Sequence, residues 1–125
     1  MEIEPKFWDG VKLFNDSEYF EAHEVWEELW NEASGARNAF LQGLIQVAAA
    51  LHHATNRNFN GTRKLFARAL GYLEKGMSES EPVDMEKLKD SVLDFELALQ
   101  KVLGGEEAPL PFFKLPVKVG FDDSV

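Results

Sequence analysis

Two histidines and a glutamate stand where a helical pattern calls for apolar side chains. His23 and Glu27 are four residues apart, the spacing that makes them neighbours on a helix surface. On a wheel of about 100° per residue, Trp26, Tyr19, Trp30, His23, Glu27 and Phe20 follow one another around a single arc. Glu21, Glu28 and Glu32 fall opposite, and Glu24 falls at the border. A second stretch repeats the pattern: Phe40, Leu51, Leu44, Ala48, Leu41, His52 and Ile45 share one arc, so His52 points inward. His53 falls beside Gln42 and Gln46 on a narrower polar strip. A charged group on a core face costs several kcal/mol unless it is paired or neutralised, so the constellation needs a reason.

Three chemistries fit these residue types. In the first, His23, Glu27 and His52 hydrogen-bond one another, or the tryptophan N–H groups, and fix the helix register. In the second, two imidazoles and a carboxylate form a facial set that leaves positions open on a divalent transition metal. Glu24 then serves as catalytic base or outer ligand in a metal-dependent, hydrolase-like site. The string from His23 to Glu27 is only a weak counterpart of the His-Glu-x-x-His zinc motif, because Glu27 stands where the second histidine belongs. In the third, Tyr19, Trp26 and Trp30 supply flat apolar walls of a small-ligand pocket, with His23, Glu27 and Gln42 as polar anchors and His52 beside them. The alternative to any active site is a non-enzymatic structural or interaction protein in which the cluster only sets packing.

Bulk properties narrow the classes. The chain has 125 residues, a length suited to one domain with its own core. It contains no cysteine, which removes disulfides, thiolate metal sites and cysteine nucleophiles. A net charge of −9 argues against nucleic acid as a partner and against docking on anionic lipid. The start is acidic and lacks the apolar run of an export signal. The near-apolar stretch from Leu44 to Leu51, interrupted by Gln46, falls far short of the roughly 20 residues a membrane span needs. A cytoplasmic location is the resulting expectation.

The elements that must position the cluster are all helical. The 3.6-residue periodicity and the punctuation predict an all-α, single-domain bundle, with helices over roughly 6–14, 17–31, 35–55, 61–75 and 84–103. Asn15, Asp16 and Ser17 are candidate caps for the second helix, Ser34 for the third, Asn58, Asn60 and Gly61 for the fourth, and Asp84 for the fifth. Ser78 to Val83 reads as a polar loop. The tail over roughly 109–119 is rich in proline and phenylalanine and is expected to be extended. It is expected to strap across its own bundle, with a strap onto another subunit, and hence a homo-oligomer, as the alternative. Arg63, Lys64, Arg68 and Lys75 give the fourth helix a basic edge, read as a solvated face or a counterpart to the acidic second helix.

Two linked blocks also carry a resemblance: residues 19–30, YFEAHEVWEELW, and residues 40–52, FLQGLIQVAAALH. Together they resemble the small helical bacterial and archaeal family known as domain of unknown function 309, over roughly residues 10 to 75. The family pattern falls on His23, Glu24, Glu27, Trp30, Gln42, Gly43 and His52, with Asn60 and Gly61 near the fourth helix. The resemblance implies an all-helical bundle and no assigned activity, and it selects His52 over His53.

Overall fold

The computed structural model describes residues 5–76, 81–107 and 109–118. The acidic start at residues 1–4, the first half of the expected polar loop (78–80) and the last expected strap position, Val119, lie outside them. Five helices follow in order: α1 Pro5–Asn15, α2 Tyr19–Glu32, α3 Gly35–Thr55, α4 Phe59–Gly76 and α5 Met85–Leu103. Among the described residues there is no strand, only an isolated antiparallel bridge between Val83 and Val117. The chain is an all-α single domain, as the periodicity predicts.

Helix α3 is the centre, because it is apolar around most of its circumference. Phe40, Leu41, Leu44, Val47, Ala48, Ala50 and Leu51 are all buried. It packs chiefly on α4 and α2, and α2 in turn packs on α1. The α3–α4 approach is close because two positions carry no side chain. A Cβ at Gly43 would lie 2.5 Å from the Leu73 Cγ, and one at Gly76 would collide with the backbone of Phe40 and Ala36. Thr62 seals the same contact by donating from Oγ1 to the Ala50 carbonyl at 2.9 Å.

The helix ends depart in part from the sequence reading. Asp84 caps α5 as expected, accepting from the Lys87 N–H at 3.2 Å. Asn58 caps α4 by accepting from the Gly61 N–H at 3.1 Å, which starts that helix earlier than expected and places Asn60 and Gly61 inside it. The expected cap for α2 does not form. Glu18 occupies the cap position with no side-chain hydrogen bond, and Ser17 is spent on a left-handed turn at φ 64°. Asn15 works elsewhere: its Oδ1 accepts from the Leu115 N–H at 2.9 Å and ties α1 to the tail.

The tail straps its own bundle. Phe113 and Leu115 are buried. Phe113 meets Phe14, Phe66 and Phe95, joining α1, α4 and α5. Asp84 N–H donates to the Pro116 carbonyl at 3.1 Å and Lys118 N–H to the Pro82 carbonyl at 2.8 Å. That pairing overturns part of the polar-loop expectation, since Glu81, Pro82 and Val83 are buried. Glu81, only 6% exposed, is paired with Arg37, whose guanidinium also lies over the Phe7 and Phe40 rings at 5.5 and 5.4 Å.

Candidate functional site

The α2–α3 turn fixes an antiparallel pair. Ala33 N–H closes α2 on the Trp30 carbonyl at 3.1 Å, and the Asn38 side-chain amide donates to that same carbonyl at 3.2 Å. At the far end of the pair, the Phe20 ring lies 5.5 Å from the His52 ring. These two contacts set the register of the pair. The seam between them is where the sequence-derived cluster falls.

His23 and Glu27 do meet. Nε2 of His23 and Oε2 of Glu27 are 2.6 Å apart. A carboxylate only accepts, so Nε2 carries the proton and donates. The other ring nitrogen, Nδ1, is buried and has no hydrogen-bond partner. The pair is not locked in a dry core, however: the side chains are 26% and 46% exposed. The wheel expects a fully inward pair. The difference arises because α2 turns its Tyr19, Ala22 and Trp26 side inward, leaving His23 and Glu27 at the rim.

His52 joins through an intermediary. Phe20 rests against both imidazoles, at 5.7 Å from His23 and 5.5 Å from His52. The His52 Nε2 lies 3.4 Å from the Asn56 side-chain nitrogen, one turn on. The facial metal set His23, Glu27 and His52 is therefore not assembled. Among the described residues no group of three His, Asp or Glu is arranged to hold a metal ion. The two donors that do meet are bonded to each other instead of converging on an ion.

The remaining expected site residues spread apart. Tyr19 is buried edge-on against Phe14 at 5.2 Å, so it faces α1. Glu24 is exposed, and the His23–Glu27 contact does not involve it. Gln42 is partly buried on α3. Trp30 is partly buried, and its Nε1 is a buried donor with no partner.

Two contributors escape the sequence reading. Phe20, 46% exposed, is the cap over both imidazoles. Gln46 places a buried, unpartnered Oε1 in α3. Its signal is present in the chain: it interrupts the apolar run from Leu44 to Leu51. All three unpartnered buried side-chain polar atoms among the described residues, His23 Nδ1, Trp30 Nε1 and Gln46 Oε1, thus lie on α2 and α3. Each is a group that a hydrogen-bond partner ordinarily satisfies.

Comparison with known proteins bears out the resemblance over this part of the chain. Residues 7–65 match the model of the family described as Domain of unknown function (DUF309). The chain is also similar to the uncharacterized protein YpuF of Bacillus subtilis (strain 168), 38% identical over 65 residues. Those residues are 51% of this chain and 37% of that relative, so the chain spans well under half of its length. The family match takes in α1, α2, α3 and the opening turns of α4, and hence the whole seam. No described helix is long and apolar enough to cross a membrane.

Proposed function

We propose that the chain binds a small polar ligand at the α2–α3 seam, with the His23–Glu27 pair as its orienting dyad. The observation that carries this reading is the trio of uncommitted buried atoms on the two helices. An unsatisfied buried donor or acceptor costs about 1–3 kcal/mol. A ligand that completes these atoms recovers that cost on binding.

The complementary chemistry can be written down. With Nε2–H donating to Glu27, an unprotonated Nδ1 accepts. Gln46 Oε1 also accepts, and Trp30 Nε1 donates. The matching ligand carries at least two N–H or O–H donors and one acceptor, as amides, ureas and azoles do. Exposed Glu24 and Glu28 and the half-exposed Glu27 favour a neutral or cationic ligand over an anion. Phe20 covers His23 and His52, and its rotation opens the seam. The dyad has the donor order of a general base, but binding is the part of the role its geometry supports. The proposal includes no metal, because the two donors in contact already satisfy each other and no third carboxylate or imidazole among the described residues is grouped with them.

The test is a titration of isotopically labelled protein with acetamide, urea and imidazole, followed at the Trp30 indole, the Gln46 side-chain amide and the His23 ring by NMR. Saturable shifts at all three, strengthened in Phe20→Ala, are the expected result, with the shift at the Trp30 indole lost in a His23→Leu/Gln46→Leu variant. Shifts that stay linear, or that appear elsewhere while these three signals stand still, refute the proposal.

A further inference from the structure

A second groove, away from the seam, has the opposite electrostatic character. It encloses about 710 Å³ between α1, the first turns of α5 and the tail. Trp8 supplies its apolar side, and among the described residues that line it the charged ones are Lys87, Lys114, Lys118 and Asp90. Lys87 and Lys114 outnumber Asp90 along this wall, in a chain whose net charge is −9. We propose that this groove is a binding site for a small planar organic anion, its flat body on Trp8 and its carboxylate or phosphate at the lysines.

The walls are built before any ligand arrives. Trp8 is held edge-on by Phe7, with ring centres 5.3 Å apart. The tail opposite is pinned at three successive points: Leu115 N–H to Asn15 Oδ1 at 2.9 Å, Asp84 N–H to the Pro116 carbonyl at 3.1 Å, and Lys118 N–H to the Pro82 carbonyl at 2.8 Å. A preorganised cleft of this size is in the range that holds drug-sized ligands. Lys87 and Lys114 are exposed, so their ammonium groups stay hydrated at the mouth. There they attract an anion without the penalty of a buried charge. An aromatic body then removes apolar surface from water on the partly buried Trp8 and Val117. Neither contribution alone gives selectivity; the combination selects a flat molecule with one anionic end.

The experiment follows the Trp8 indole signal by NMR, assigned through Trp8→Phe, on the full chain. The probes are AMP, 2-naphthoate, adenosine and inorganic phosphate. AMP or 2-naphthoate is expected to shift the signal saturably. Adenosine and inorganic phosphate each hold half of the required chemistry and are expected to bind roughly tenfold or more weakly. The pair Lys87→Gln and Lys114→Gln is expected to weaken the anionic probe about tenfold, with the urea midpoint unchanged. Adenosine binding as tightly as AMP, an affinity untouched by the double substitution, or the lack of any saturable shift at Trp8 overturns the proposal. A lowered urea midpoint in the Gln pair moves the test to Lys114→Gln alone, in the tail, where an affinity equal to the parent's counts against it.

Discussion

Replacing His23 separates a functional cluster from a structural one, because its two ring nitrogens have opposite energetic signs. Nε2 makes one bond to a carboxylate that is 46% exposed. A solvent-exposed i, i+4 pair of this kind contributes about 0.3–0.5 kcal/mol. Nδ1 is buried without a partner, and a buried unsatisfied group costs about 1–3 kcal/mol. His23→Leu removes both, with a side chain of similar bulk and better helix propensity. The balance is a gain of about 1 kcal/mol in stability. His23→Gln keeps a donor near the Nε2 position for Glu27 and deletes the Nδ1 position, so it too should exceed the parent. His23→Asn keeps a polar atom near Nδ1 and loses Glu27, so it should fall below. Urea denaturation reads the order directly: with a slope of about 1–3 kcal/mol/M, the Leu variant should raise the midpoint by about 0.3–1 M at unchanged slope. Loss of about 1 kcal/mol or more in His23→Leu would mean that the network holds the fold together, and the case for a ligand at the seam would fail with it.

Three further substitutions test the frame around the site. Arg37→Met takes the guanidinium from Glu81, whose side chain is buried, and should cost about 3 kcal/mol by urea denaturation; Arg37→Met with Glu81→Met should recover part of it. Gly76→Ala drives a Cβ into the backbone of Phe40 and should cost about 1–3 kcal/mol, visible as a lowered melting temperature. Asn15→Ala strips the acceptor from the Leu115 amide and should cost about 1 kcal/mol, with faster hydrogen exchange at Leu115 and little change in α3.

The helices are legible in the sequence because each carries its own periodicity. Leu44, Ala48 and Leu51 need no partner in view to reveal a buried face, and Asp84 announces a cap three residues ahead of the Lys87 amide it accepts from. What is not legible depends on neighbours distant in sequence. Asn15 reads as a helix cap, yet its partner is the Leu115 amide across the fold. Glu81 reads as a loop residue, yet Arg37 and the returning tail bury it. The same limit applies to the cluster. A wheel measures angle about one helix axis and ranks His23 with Trp26, but it cannot say where the neighbouring helix ends. The actual rim of α3 leaves His23 and Glu27 partly wet and lets Phe20 come between His23 and His52. Three suitable residues on facing helices therefore do not amount to a three-donor metal site.

The two tryptophans of α2 make the strongest case that the seam is left open for a reason. Trp26 and Trp30 are one turn apart and carry the same indole donor. Trp26 Nε1 reaches across to α1 and donates to the Phe7 carbonyl at 3.1 Å. Thr62 does the equivalent at the α3–α4 contact, donating to Ala50. At both interfaces the chain satisfies a buried polar side chain through a backbone carbonyl of the neighbouring helix, the ordinary solution. On α2 and α3 it leaves Trp30 Nε1, His23 Nδ1 and Gln46 Oε1 without partners. Poor packing throughout cannot account for this, since the flanking interfaces are closed and the core residues around them are fully buried. An apolar residue at any of the three positions would remove the cost. Two packed helices retain three such costs, and the half-exposed Phe20 ring covers the one at His23; the proposed ligand is what would meet them.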